Sequence, residues 1–248
     1  MQIAYLSDIG TRKKENQDFV GIFTNKSQYK LAIVADGVTS EKGGDIAAEM
    51  VVNNFGFGWR QTEISSIEEA KTWISQKARE ENGRILMAGK RFDDLSQMAT
   101  TMVLTVAINN DVLIGNLGDS RAYIFDGKIL KQLSFDHSFG NELIQNGQIS
   151  KENVNNVPHH QSITRYFGLN AQTEMSFAVD KVKNDDIIML ATDGLTKQVK
   201  EPDILHVIKS KHKSLSEMVA RLINMANEQS GFDNVTVLLM SQFLEDNR

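Results

Sequence analysis

Cysteine is absent from this chain, and proline occurs only twice. The lack of cysteine excludes a disulfide scaffold, a zinc–thiolate site and a cysteine nucleophile. Basic residues are too few for a typical nucleic-acid-binding protein, since 27 Lys and Arg against 32 Asp and Glu give a formal charge of −5. No apolar run approaches the roughly 18 residues of a membrane span, and the N-terminus does not resemble a signal peptide. We therefore expect a cytoplasmic protein without nucleic-acid or membrane partners.

Several common catalytic motifs are also missing. The sequence contains no Gly-rich loop ending in Lys-Ser or Lys-Thr, no triple-glycine dinucleotide fingerprint and no Gly-x-Ser-x-Gly elbow. No histidine pair encloses a glutamate in the manner of a zinc protease. We expect the histidines at surface or flap positions; they are His137, His159, His160, His206 and His212.

Two kinds of periodicity predict the secondary structure. Short apolar or alternating runs between turn residues predict strands, and longer segments with apolar residues at helical spacing predict helices. The predicted strands are Gln2–Ser7, Phe19–Thr24, Tyr29–Ala35, Thr101–Ile108, Asp111–Leu117, Arg121–Phe125, Lys128–Leu133, Glu174–Val182, Asp186–Ala191 and Val235–Met240. The predicted helices are Gly43–Phe55, Ser65–Lys90, Glu201–Ser210 and Ser214–Gln229.

The order of these elements favours an α+β fold. Strands follow one another in antiparallel runs without strict βαβ alternation, so we expect sheets packed together with helices outside. Apolar residues make up 41% of the 248 residues, and neither a linker nor a repeat interrupts them. This predicts a single domain over residues 1–248. The polar, irregular segment at about 138–166 is predicted to form a flap.

Four aspartates stand at the ends of apolar strands. Asp36, Asp119 and Asp193 each follow a predicted strand, and Asp233 precedes the last one. Buried strands hold their ends rigidly, so these carboxylates can converge, and a divalent cation would then offset their repulsion. Oxygen ligands without Cys or His favour Mg²⁺ or Mn²⁺ over zinc.

The same aspartates also allow an interpretation without a metal. Asp-Gly is a common turn sequence, and we expect Asp126-Gly127 to be only a hairpin turn. From spacing alone, a carboxylate metal site and a set of ordinary turns both remain open.

A series of short motifs resembles those of the bacterial branch of the PP2C-type, metal-dependent protein phosphatases (the PPM family). The motifs occur in the family's order and span residues 12–236. They are Arg12-Lys13-Lys14-Glu15-Asn16-Gln17-Asp18, Ala35-Asp36-Gly37-Val38, Thr100-Thr101, Gly118-Asp119-Ser120-Arg121, Asp136-His137-Ser138, Ala191-Thr192-Asp193-Gly194-Leu195 and Asp233-Asn234-Val235-Thr236. Each motif is short, and the order of the seven carries the resemblance.

The resemblance implies a four-layer αββα sandwich and a centre of two Mn²⁺ or Mg²⁺ ions. It assigns Asp36 as the ligand shared by both ions. Asp193 and Asp233 would complete one site, and the Gly37 carbonyl would belong to the other. Asp119 with Asp193 would hold a weaker third ion. Gln17 and Asp18 would lie beside the ligands, and Gln17 would come no closer to the metal than a water-mediated contact.

The implied activity is hydrolysis of phosphoserine and phosphothreonine in proteins by a metal-activated water molecule. Arg12 would bind two phosphate oxygens with its planar guanidinium, which a lysine cannot do. The implied partners are phosphoproteins, among them a cognate Ser/Thr kinase and its targets. The alternative for Arg12 is a solvated surface charge beside Lys13 and Lys14.

Some positions depart from the family pattern. Val38–Lys42 replaces the small residues and the His or Met that commonly follow Asp-Gly, and Ala99 stands where the family has a glycine before Thr100-Thr101. Gln17 replaces an acidic residue of some relatives. These departures leave an alternative open: a catalytically weak regulatory module of the same fold that acts through protein contacts.

Overall fold

The computed structural model describes residues 1–38, 43–210 and 213–243. Ten strands form two antiparallel five-stranded sheets in this part of the chain. The first sheet has the order β1, β10, β9, β6 and β7, and the second has the order β2, β3, β4, β5 and β8. The strands are β1 (Gln2–Asp8), β2 (Asp18–Thr24), β3 (Lys30–Asp36), β4 (Met102–Ile108), β5 (Asp111–Leu117), β6 (Arg121–Phe125), β7 (Leu130–Gln132), β8 (Ser176–Lys181), β9 (Ile187–Ala191) and β10 (Val235–Ser241).

Six α-helices accompany the sheets in this part of the chain. They are α1 (Gly44–Arg60), α2 (Ile67–Arg91), α3 (Phe139–Gln145), α4 (Asp193–Thr196), α5 (Glu201–Ile208) and α6 (Leu215–Gln229), with 3₁₀ turns at Asp93–Leu95 and Lys151–Asn156. Helices α1 and α2 cover the second sheet, and α5 and α6 cover the first. No helix of the described residues is long and apolar enough to cross a membrane.

The alternation of side chains along each strand builds three apolar layers. In β3, Ala32 and Val34 face the other sheet, whereas Leu31 and Ile33 face α1 and α2. Both faces of the central strands are therefore buried, which is why their sequences are continuously apolar rather than alternating. This arrangement confirms the α+β sandwich with flanking helices.

One predicted strand is shorter than its sequence indicates. Lys128–Leu133 was expected to be extended, but only Leu130–Gln132 pairs with β6. The Asp126 carboxylate accepts hydrogen bonds from the backbone N–H groups of Lys128 and Ile129, both at 2.9 Å. This side-chain turn removes those two residues from the ladder. It confirms that Asp126-Gly127 is a hairpin turn.

Helix α1 is longer than predicted because glycine has a packing role in it. The helix continues to Arg60 through Gly56, where a Cβ atom would lie 2.1 Å from the Phe23 ring. The missing side chain lets the helix approach β2, so tertiary packing outweighs the low helix propensity of glycine.

The close packing of Gly194 against β10 gives a test of the fold. A Cβ atom at Gly194 would lie 1.9 Å from the Asn234 carbonyl oxygen, whereas a Cβ at Gly83, inside α2, would contact nothing within 4 Å. We expect Gly194→Ala to lower the thermal midpoint markedly, because backbone rather than a flexible side chain must move. Gly83→Ala is the matched control and should stabilise by about 0.5–1 kcal/mol through helix propensity. Equal midpoints for the two variants, measured by calorimetry, would contradict this packing.

Candidate metal centre and phosphate site

Strand pairing places two aspartates side by side. Asp18 begins β2 and Asp36 ends β3, and the antiparallel register pairs them directly. The Asp36 carbonyl accepts hydrogen bonds from the Thr101 N–H at 2.8 Å and the Thr100 hydroxyl at 2.9 Å. The Thr100-Thr101 motif therefore fixes the backbone of Asp36. At Gly37 a Cβ atom would lie 2.5 Å from the Gly44 carbonyl carbon, so only glycine allows the start of α1 this close.

Thr192 joins the two sheets at the same point. Its hydroxyl donates to the Asp18 carboxylate at 2.9 Å and accepts from the Thr236 N–H at 3.0 Å. The next residue, Asp193, starts α4, and Gly194 lies against the Asn234 backbone. Asp193 and Asp233, from the two late motifs, are thus brought to the same edge as Asp18.

Sequence reasoning missed the role of Asn234. Its side-chain amide donates to the carbonyls of Ile9 and Glu15, both at 2.9 Å, and its side-chain oxygen accepts from the Gln17 N–H at 2.9 Å. These bonds hold residues 9–17 against the residue that follows Asp233. The Asp-Asn pair was visible in the sequence, but its long-range partners were not.

The turn that carries Asp119 is fixed by a buried histidine. His137 has no exposed surface, contrary to the expectation of a surface or flap position. The backbone N–H of His137 donates to the Gly118 carbonyl at 2.9 Å, and the ring Nδ1 accepts from the Gly118 N–H at 3.1 Å. Burial lowers the pKa of His137 to about 4, so the ring is neutral and Nδ1 remains an acceptor at neutral pH.

Asp18, Asp36, Asp119, Asp193 and Asp233 form a carboxylate cluster, and burial and repulsion raise the pKa values of Asp18, Asp36 and Asp119. Burial raises the pKa of Asp18 to about 7 and that of Asp119 to about 6, and the charge of Asp193 contributes to both. Burial also raises the pKa of Asp36 well above its usual range, helped by Asp193, Asp18, Asp119 and Asp233. The five side chains are therefore close enough to act on one another electrostatically.

Within residues 1–38, 43–210 and 213–243, three buried carboxylate oxygens of this cluster have no hydrogen-bond partner. They are the Oδ1 atoms of Asp18, Asp119 and Asp193. A buried negative charge without a partner is costly. A hard divalent cation can compensate this charge, because such cations bind carboxylate oxygens as ligands. Among the side chains that the structure describes, no three Asp, Glu or His residues are already drawn together as a metal-binding group. The donor set and the unpartnered oxygens nevertheless fit Mn²⁺ or Mg²⁺.

Two lysines that sequence reasoning overlooked lie against the carboxylates. Lys13 Nζ is 2.6 Å from Asp233 Oδ1. Lys197 Nζ is 3.0 Å from Asp119 Oδ2 and 2.5 Å from Asp193 Oδ2. Lys197 could have been found from the sequence, because it follows Asp193 by four residues, one turn of a helix.

Arg121, the basic residue of the Gly118–Arg121 motif, pairs with a different carboxylate. Arg121 forms an ion pair with Asp136, with 2.7 Å between Arg121 Nη2 and Asp136 Oδ2. Arg121 is therefore not the partner of Asp119 in this structure. The ammonium group of Lys197 takes that place.

Arg12 is exposed and held by an aromatic ring. Its guanidinium carbon lies 3.9 Å from the centre of the Phe232 ring. The backbone N–H of Arg12 donates to the Gly231 carbonyl at 3.2 Å. Phe232 directly precedes Asp233, so the ring that the guanidinium stacks on is next in sequence to one of the aspartates.

The protein phosphatase 2C family model matches residues 10–245. The chain belongs to the protein phosphatase 2C family. The serine/threonine phosphatase stp of Listeria monocytogenes is 36% identical over 98% of this chain and 97% of its own length. The protein phosphatase PhpP of Streptococcus pneumoniae is 31% identical over 99% of both chains.

Solved structures show the same fold. The serine/threonine phosphatase of S. agalactiae superposes with a TM-score of 0.89 at 34% identity, covering 96% of this chain and 98% of that one. Stp1 from Staphylococcus aureus superposes with a TM-score of 0.90 at 26% identity, covering 98% and 95%. The family, the sandwich fold and the enzyme class predicted from the motifs are confirmed. The divergent residues 39–42 lie outside the described residues.

The raised pKa of Asp18 predicts how stability depends on pH. Because burial raises that pKa to about 7, the folded metal-free protein binds more protons than the unfolded chain from about pH 4 to pH 7. Its unfolding free energy should therefore fall as pH rises through this range. Asp18→Asn should raise the thermal midpoint in chelator at pH 7.5 and weaken the decline.

The exposed Asp185 in the β8–β9 turn provides the control, since Asp185→Asn should change neither quantity. An Asp18→Asn protein that melts at or below the parental midpoint in chelator at pH 7.5 would refute a costly buried charge at this position.

Proposed function

We propose that this protein hydrolyses phosphoserine and phosphothreonine in proteins with a metal-activated water molecule. The observation that carries the proposal is the convergence of buried, partly unpartnered carboxylates beside an exposed, stacked arginine. Asp36, the Gly37 carbonyl, Asp193 and Asp233 would hold two ions, with Asp36 shared by both. Gln17 and Asp18 would contact the ions only through water, and Asp119 with Asp193 would hold a weaker third ion.

Mn²⁺ or Mg²⁺ bound at this cluster would supply positive charge to the phosphoryl oxygens and lower the pKa of a water molecule that attacks phosphorus. The chain itself positions the substrate. Arg12 presents a planar, permanently charged donor group that can bind two phosphate oxygens, and the Phe232 ring limits its orientations before the substrate arrives. Asn234 keeps the loop of Arg12 against the carboxylates.

The substrate class follows from the same features and from the names of the relatives. The stp relative is named a serine/threonine phosphatase. An open site with an exposed arginine suits a phosphorylated side chain on a protein surface. We include in the proposal that the phosphoproteins are a Ser/Thr kinase and the targets of that kinase.

Metal dependence is the first expected property. Activity on a small aryl phosphate and on a phosphothreonine peptide should require Mn²⁺ or Mg²⁺ and disappear in chelator. Asp36→Asn should lower turnover by roughly 10²–10³-fold or more, because it weakens the ligand shared by both ions. Asp126→Asn is the matched control, since it makes the same substitution in an Asp-Gly pair that forms a hairpin turn.

Two results would count against this mechanism. One is full activity after exhaustive chelation, and the other is an Asp36→Asn variant that keeps half the parental rate. A folded parental protein that binds Mn²⁺ without turning over either substrate would favour the alternative, a regulatory module that acts through protein contacts.

Arg12 should act mainly in binding the phosphate group. Arg12→Ala removes a charge-assisted bidentate contact of about 1.5–3 kcal/mol, so KM should rise roughly 10- to 150-fold while Mn²⁺ affinity is unchanged. Lys14→Ala, an exposed charge two residues away, is the control and should leave KM near the parental value. Steady-state kinetics on the phosphopeptide measures both, and a parental KM for Arg12→Ala would make Arg12 a surface charge.

A further inference from the structure

Lys197 reaches the carboxylates through the geometry of a single helical turn. The backbone N–H of Lys197 donates to the Asp193 carbonyl at 2.8 Å. Its side chain extends back to the carboxylate of the same residue, Asp193. This spacing puts a basic side chain on the face of α4 that carries Asp193. Asp119 enters from the end of β5 and completes a bridge, with the ammonium group between the two carboxylates.

The two carboxylates that Lys197 bridges are buried, whereas the lysine is only partly so. Asp119 is 5% exposed and Asp193 is 9% exposed. The Lys197 side chain is 39% exposed, while its ammonium group contacts both carboxylates. A lysine held between two carboxylates is positively charged at neutral pH.

A metal ion on the same two carboxylates has to displace this ammonium group. Mn²⁺ and Mg²⁺ bind oxygen ligands at about 2.0–2.2 Å, whereas the ammonium nitrogen lies 2.5 and 3.0 Å from its two oxygens. Both cations would use the space between Asp119 and Asp193, and their like charges repel. Because the Lys197 side chain is partly exposed, it can move into solvent when the ion binds.

We propose that Lys197 is an internal cation that competes with the third metal ion for Asp119 and Asp193. The inference rests on the proposed metal centre. When the third ion is absent, Lys197 offsets part of the negative charge of the Asp119–Asp193 pair. The third site therefore opens only when the metal concentration is high enough to displace the lysine.

Direct Mn²⁺ binding to the full chain tests the competition without measuring catalysis. Free Mn²⁺ is counted by electron paramagnetic resonance during a titration, for the parental protein, Lys197→Met and Lys197→Arg. Lys197→Met should tighten the weakest class of Mn²⁺ site roughly tenfold or more, because a like charge a few ångströms from the ion is gone. Lys197→Arg keeps the charge and should resemble the parent.

Two further variants show where the gained ion binds. Lys200→Met removes an exposed charge three residues away and should not tighten Mn²⁺ binding, which separates a local effect from a change in net charge. The double variant Lys197→Met/Asp119→Asn should lose the gained affinity, because the vacated site then lacks a carboxylate.

Thermal unfolding in chelator gives a second, metal-free readout. Lys197→Met should lower the midpoint, since it leaves two buried carboxylates without their cation. Adding Asp119→Asn in that background should recover part of the loss, and this non-additivity is the sign of a direct pair. Additive effects of the two substitutions would overturn the bridge itself.

The outcomes separate this inference from the proposed function. Two tight Mn²⁺ ions in both proteins, with an unchanged weakest site in Lys197→Met, would overturn only the competition. Absence of any Mn²⁺ binding in the folded parental protein would overturn the metal centre and the competition with it. A tightened site in Lys197→Met without phosphatase activity in the parent would support the competition and refute the proposed function.

Discussion

The buried negative charge at the edge of the two sheets is the constraint on which the rest of the site depends. Asp18 and Asp36 face each other across a strand pair, and Asp119, Asp193 and Asp233 lie near enough to raise the pKa of Asp36. Such an arrangement is unfavourable unless positive charge enters it. Lysines supply part of that charge at two points, and the unpartnered oxygens of Asp18, Asp119 and Asp193 leave room for more.

The scaffold keeps these charges together because hydrogen bonds hold the chain at, or next to, three of the aspartates. The Asp36 carbonyl is held by Thr100 and Thr101, the turn before Asp119 by His137, and the residue after Asp233 by its bonds to the N-terminal loop. Repulsion between the side chains therefore cannot be relieved by moving the main chain. It is relieved by protons, by ammonium groups or by metal ions, and the balance among these three determines how the site responds to pH and to metal concentration.

Cation placement also separates two parts of the site. On the side of Asp233, Lys13 and the stacked Arg12 lie on an exposed loop, where a phosphate group can reach them. On the side of Asp119, Lys197 reaches inward to carboxylates that are almost completely buried. Under the proposed function, the first set of cations would face the substrate, whereas Lys197 offsets charge within the protein.

The sequence by itself determined the strands, the main helices and the family, because hydrophobic periodicity and the spacing of short motifs are local properties. It also identified Asp36, Asp119, Asp193 and Asp233, since each stands at the end of an apolar run. Only the tertiary structure decided which groups meet them. His137 is buried against Gly118, Asn234 holds a loop more than 200 residues away in sequence, with partners at Ile9 and Glu15, and Lys197 rather than Arg121 pairs with Asp119. These contacts join distant segments, and their partners depend on how the two sheets pack, which no local pattern encodes.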